Sequence, residues 1–189
     1  MNNRKGWIEV VCGPMFAGKS EELIRRVVRL GYAKKKYLVF KPAIDNRYSE
    51  TEVVSHNKRS LKSIAISSSS DVEQYITNDL DAVIFDEVQF LDSNIINVIE
   101  NLADRGIRVI CGGLDMDFKG EPFPIIANLL ARAEKIDKLT AICVVCGEAA
   151  TRSQRLVNGQ PAKADDDVVS IGGSESYEPR CRKCHQVNK

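Results

Sequence analysis

Gly13-Pro14-Met15-Phe16-Ala17-Gly18-Lys19-Ser20 follows the short apolar run Trp7–Cys12 and opens into a helical pattern. The spacing Gly-x-x-x-x-Gly-Lys-Ser predicts a phosphate-binding loop between a strand and a helix. Successive backbone N–H groups curl around phosphate oxygens there, and the helix turns its positive dipole end toward the same anion. Lys19 reaches the β- and γ-phosphates and the Ser20 hydroxyl is placed for Mg²⁺. The whole loop, Gly13 to Ser20, is therefore assigned to a nucleoside triphosphate.

Outward from this loop, Tyr37–Lys41, Ala82–Asp86 and Ile107–Gly112 read as further buried strands. Helices are expected over Ser20–Lys35, where Leu23, Val27 and Leu30 share a face, and over Ser93–Arg105. The latter has Ser93 as N-cap and Gly106 just past its end. A helix is also expected near Val72–Ile76, and a longer one over Ile125–Ile136 with Pro124 in its first turn. Residues 42–60 are polar and turn-rich and are expected to form a mobile loop. Strands alternating with helices predict a parallel α/β sheet with its ligands at the carboxyl ends of the strands.

Val83-Ile84-Phe85-Asp86-Glu87 ends an apolar strand in two carboxylates. Behind a phosphate-binding loop, Asp86 is the partner of Ser20 at the metal, and Glu87, followed by Val88 and Gln89, lies on the γ-phosphate side. If Glu87 activates water the chain is an ATPase; if it takes a proton from an alcohol the chain is a kinase.

The chain has 189 residues, 27 basic and 26 acidic, for a formal charge of +1. That length predicts one medium α/β core of about residues 1–140 and a smaller unit over 141–189, where the composition changes. Near-neutral charge gives no reason to expect a nucleic-acid partner. No apolar run reaches membrane-spanning length and the N-terminus lacks a signal-like stretch, so a soluble, cytoplasmic protein without a membrane partner is expected.

Cys143-x-x-Cys146 and Cys181-x-x-Cys184 provide four thiolates for a structural Zn²⁺, with 34 residues between the pairs. A redox Cys-x-x-Cys is the alternative, which leaves the second pair unexplained. His185 adjoins the second pair and is read as a bystander. Cys12 and Cys111 lie in strand-like runs and read as buried thiols. The clipped loop contains Gly172-Gly173 and Tyr177, suited to close backbone approach and an aromatic contact.

Over residues 7–185 the chain resembles the cytosolic, zinc-containing (type II) thymidine kinases. The resemblance rests on Cys-Gly-Pro-Met-Phe-Ala-Gly-Lys-Ser at 12–20, Asp-Asn-Arg-Tyr-Ser at 45–49 and Asp-Glu-Val-Gln-Phe at 86–90. It continues in Gly-Leu-Asp-Met-Asp-Phe at 113–118, Pro-Phe at 122–123 and Ser-Tyr-Glu-Pro-Arg-Cys-Arg-Lys-Cys-His at 176–185. It implies a RecA-like core with a small zinc domain, and ATP-dependent phosphorylation of the thymidine 5′-hydroxyl with Glu87 as general base. It also implies a thymine slot formed by Met15, Phe90, Leu114, Phe118 and Phe123. Backbone groups around Ile171, Gly172 and Gly173 would hold the base, with Tyr177 near it and Asp45–Ser49, including Arg47, as a lid. A homotetramer inhibited by thymidine triphosphate (dTTP) is the expected assembly. Ala17 stands where relatives commonly carry Ser, Pro124 where many carry Gly, and Ser170 where many are apolar. Two other readings fit the bare motifs: a nucleic-acid-stimulated ATPase with a zinc ribbon, and a non-catalytic zinc module with a nucleotide-gated partner site.

Overall fold

The computed structural model describes residues 5–44, 52–54, 60–168 and 177–188, with backbone only at 52–54 and 60. In chain order the first part is β1 (Trp7–Cys12), α1 (Lys19–Tyr32), β2 (Tyr37–Pro42), β3 (Glu52–Val54), β4 (Ser60–Lys62) and β5 (Ile64–Ile66). There follow β6 (Ala82–Phe85), α2 (Ile95–Asp104), β7 (Arg108–Gly113), α3 (Pro124–Arg132) and β8 (Lys135–Lys138). Six strands form one parallel sheet in the order β5-β2-β6-β7-β1-β8. One strand, β7, separates the glycine-loop strand β1 from β6, which delivers Asp86 and Glu87.

Helices cover both faces, so the central strands are apolar almost throughout. Val10, Cys12, Phe85, Val109 and Cys111 pack against Ile95, Ile99 and Leu102 of α2 and Ile126 and Leu129 of α3. Val11, Ile84 and Ile110 meet Leu23, Val27 and Leu30 of α1 on the other face. Besides Lys41, buried in β2, the exceptions include Glu9, buried in β1. It accepts hydrogen bonds from Arg26, Arg108 and the Trp7 indole, an ion cluster that ties α1 to the sheet. Burial opposes ionisation of Glu9, but the bonds from Arg108 and Trp7 and the nearby Arg charges outweigh it and hold its pKa below the usual value.

The structure departs from the sequence reading in four places. Helix α3 stops at Arg132, because Ala133 turns extended and Glu134 clamps the Ile8 backbone with both its N–H and its carboxylate. Ile136 then lies on the edge strand β8; its spacing from Ile125 and Leu129 imitates a continued helix. The expected helix near Val72–Ile76 is two 3₁₀ turns, Ser69–Asp71 and Glu73–Tyr75, the first closed by a Ser68–Asp71 capping box. The N-cap of α2 is Asn94 instead of Ser93, and the Asp92 carboxylate accepts the Asn94 N–H. Within the expected loop over 42–60, β3 pairs antiparallel with β4.

Among the described residues after Lys138, the strands pair in short antiparallel ladders, with one parallel bridge between Lys163 and Asn188. The ladders are β9 (Ala141–Ile142) with β10 (Ala149–Ala150), and β11 (Arg152–Val157) flanked by β12 (Gln160–Pro161) and β13 (Tyr177–Arg180). Among the described residues no helix is long and apolar enough to cross a membrane.

Candidate functional site

Between Cys12 and α1 the chain makes the expected loop. Gly13 has φ +145°, and a Cβ there would overlap the Leu139 carbonyl. Gly18 begins α1 at φ +82°, and even Phe16 is left-handed at +66°. Of these only Phe16 bears conformational strain, and the alternation of left-handed residues gives the loop the curled backbone of a phosphate-binding turn. Lys19 is buried, and its ammonium donates to the Pro14 carbonyl at 2.8 Å. Ser20 lies one residue on in the first turn of α1, beside the loop mouth.

Strand β6 ends at the same mouth. Asp86 is buried and its Oδ1 accepts the Glu87 N–H at 3.1 Å. Glu87 is buried and left-handed, at φ +49°. That conformation is unfavourable for a non-glycine residue and is held here by its surroundings. Gln89 supplies them: its Nε2 donates to Glu87 Oε2 at 2.5 Å, while its Oε1 accepts the Leu114 N–H at 3.2 Å. One amide therefore links the carboxylate to the residue expected to face a thymine ring. Ser20 and Asp86 offer hard oxygen ligands at the loop mouth, the donor set that suits Mg²⁺.

The loop from Leu114 to Phe123 brings several expected base contacts together. Asp117 Oδ1 accepts the N–H groups of Lys119 and Glu121, closing the tip. Phe118 is buried with Tyr177 of β13, and Met15 and Phe16 of the glycine loop pack against them. Phe90 and Phe123 meet edge to face, 6.2 Å between ring centres. Pro124 is the first residue of α3, and Phe123 takes the extended backbone required before proline. Ile171, Gly172, Gly173, Ser170 and the 45–49 stretch lie outside the described residues.

The sulfur atoms of Cys143, Cys146, Cys181 and Cys184 all lie within 4.8 Å of one another, with Cys146 and Cys181 at 3.6 Å. Four sulfurs at this separation fit a tetrahedral Zn²⁺ with bonds of about 2.3 Å. Burial opposes ionisation of Cys143, but N–H groups of Cys181, Cys146 and Val145 aimed at its sulfur bring the thiol down to about 6. His185 faces elsewhere: its Nε2 lies 2.8 Å from the Phe118 carbonyl. Since a carbonyl only accepts, that nitrogen carries the proton, and burial lowers the ring's pKa. Cys12 is pushed up to about 11 by burial and by Asp115, and burial alone pushes Cys111 higher still, so both are unreactive thiols.

Sequence reasoning missed two contributors. Ser153 Oγ accepts the Met15 N–H at 3.0 Å, tying β11 to the glycine loop; a lone serine in a polar stretch gives no signal for this. Asp115 is buried and its carboxylate receives no well-directed hydrogen bond among the described residues, the Lys138 ammonium lying 2.9 Å from Oδ2. Its place in Gly-Leu-Asp-Met-Asp-Phe is the signal that could have found it. Phe16 and Ala17 also pack on the Cys143 knuckle beside Ala141 and Ala150. The cysteine cluster and the β1–β8 sheet thus meet at the crown of the glycine loop.

Residues 6–185 match the family model described as "Thymidine kinase". The match spans most of the chain, and the chain belongs to the thymidine kinase family, in agreement with its cysteine cluster and parallel sheet.

Proposed function

From that membership we propose that the chain transfers the γ-phosphoryl group of ATP to the 5′-hydroxyl of thymidine, yielding the monophosphate, with Glu87 as the general base. The position of Glu87 carries this reading. It follows the metal-side Asp86 directly and is fixed through Gln89 to Leu114 beside the base slot. A carboxylate so held can take the 5′-hydroxyl proton as the oxygen attacks phosphorus in line.

The glycine loop and the α1 N-terminus cradle the triphosphate, and Lys19 exchanges its Pro14 carbonyl for phosphate oxygens. Mg²⁺ held by Ser20 and Asp86 would offset charge on the β- and γ-oxygens. The cluster of Met15, Phe118 and Tyr177, the Phe90–Phe123 pair and Leu114 supply the apolar side chains this reading assigns to the pyrimidine. The family resemblance alone assigns the segment around Ile171–Gly173 to holding the base; exclusion of water from such a site favours transfer over hydrolysis. Zn²⁺ on the four thiolates is structural, with no open position for substrate. The division at about residue 140 rests on the change of composition there, cytoplasmic location on the sequence pattern and the resemblance together, and the homotetramer and feedback inhibition by dTTP on the resemblance alone.

The test is incubation with Mg-ATP and a nucleoside panel, measuring nucleoside monophosphate and free phosphate separately. Thymidine-dependent monophosphate with little free phosphate is the expected result. Free phosphate without any nucleoside product refutes the assignment.

A further inference from the structure

The far pole of the sheet holds a second concentration of charge that catalysis does not use. Strand β1 carries the glycine loop at its carboxyl end and begins at Trp7, so about 20 Å separates the poles at roughly 3.3 Å per residue. Around Trp7 lie the first residues of β7 and β8 and the second half of α1. A cavity of ≈ 320 Å³ there is lined by Arg25, Arg26, Arg29, Arg108 and Lys135 alone. A second cavity, ≈ 390 Å³, shares Arg29 and Arg108 with it and adds Trp7, Leu30 and Ala33 among its walls.

Three carboxylates serve the five cations. Glu9 pairs with Arg26 and Arg108, Glu22 with Arg25 and Arg26, and Asp137 with Arg26 and, at 3.6 Å, Lys135. Arg29 has no carboxylate partner among the described residues, so an excess of two positive charges faces the cavity. Two of the guanidinium groups, those of Arg26 and Arg108, are held in place. Arg26 is 3% exposed and bonded to all three carboxylates, and Arg108 is bidentate on Glu9 with its guanidinium 5.4 Å from the Trp7 ring centre. Arg26 and Arg108 thus give the cavity a fixed cationic floor, and the exposed Arg25, Arg29 and Lys135 around it are open to the multiply charged faces of phosphate groups.

We infer that this cavity is a second anion site, separate from the glycine loop, which takes an oligophosphate: a free oligophosphate or the phosphate tail of a nucleotide. Helix α1 begins at Lys19 and carries Arg25, Arg26 and Arg29, so one rigid element spans both sites. The inference stands whether or not the proposed reaction is right.

Trp7 is the chain's sole tryptophan, so its emission reports this pole directly. The experiment titrates the full chain with sodium tripolyphosphate and follows that emission. It is run on wild type, on Lys19→Ala to disable the glycine loop, and on Arg29→Gln/Lys135→Gln. A saturable change in wild type and in Lys19→Ala is expected, with affinity at least tenfold weaker in the double variant and falling as salt rises. Thermal unfolding confirms that the double variant is folded. No emission change, a response lost in Lys19→Ala, or one unaltered in the folded double variant overturns the site. If the double variant does not fold, Arg29→Gln alone takes its place under the same criteria. In Lys19→Ala, tighter binding of ATP than of tripolyphosphate identifies a nucleotide tail, and equal or weaker binding a free oligophosphate.

Discussion

Replacing Gly113 by alanine tests how Glu87 is held. A Cβ at Gly113 would come closer than 3.0 Å to Gln89 Oε1 and stand 2.9 Å from Ile126 Cδ1. The Gln89 amide cannot step aside freely, because it is anchored at one end to Glu87 and at the other to the Leu114 N–H. Displacing it gives up a bond to a charged group, about 1.5–3 kcal/mol, and strands a buried N–H at about 1–3 kcal/mol. A total of about 2.5–6 kcal/mol lowers Tm by about 5–24 °C in a domain of this size. A general base misplaced by about 1 Å lowers kcat about 10²-fold. The assay is thymidine-dependent ADP formation for Gly113→Ala, Gln89→Ala and the double variant, with Tm measured alongside. Since Gln89→Ala removes the obstructed group, the double variant should match Gln89→Ala within about threefold instead of showing the product of the two losses. Multiplicative losses, or a Gly113→Ala enzyme within threefold of wild type, would refute the reasoning.

Glu87→Gln should lower turnover by about 10²–10⁴ while ATP binding survives, as checked by kinetics and equilibrium titration. Cys146→Ser should lower zinc content below one per chain and raise KM for ATP severalfold, since the cysteine knuckle packs on Phe16 and Ala17; metal analysis and initial rates decide both points. Hydrogen bonds from Arg25 and Arg26 lower Glu22 from 4.5 to about 2. A depressed carboxylate stabilises the fold above its unfolded value and loses that contribution as pH falls through the folded value. The difference in urea midpoint between wild type and Glu22→Gln should therefore be full at pH 6 and shrink from about pH 4.5 downward; a constant difference contradicts the assignment.

The sheet was legible because its strands are buried on both faces and read as unbroken apolar runs between polar punctuation. Strand β5, three residues long, carries too little pattern to be seen, and β8 was hidden because Ile136 falls in phase with α3. Both are edge strands, ordered by neighbours distant in sequence. The glycine loop and cysteine pairs were visible because backbone curvature and tetrahedral ligation need fixed residue types at fixed spacing. The ties of Leu114 to Gln89 and of Met15 to Ser153 were not, since a hydrogen bond between separate segments leaves no local periodicity.

The crown of the glycine loop belongs to two parts of the chain at once. Met15 hangs from Ser153, and Phe16 and Ala17 rest against the cysteine knuckle. Chimaeras between relatives will therefore not inherit donor affinity from the segment that spells Gly-x-x-x-x-Gly-Lys-Ser alone. Grafting a foreign stretch over 141–189 onto this core changes the fit at residues 15–17, so compatible pairs have to be chosen by that seam.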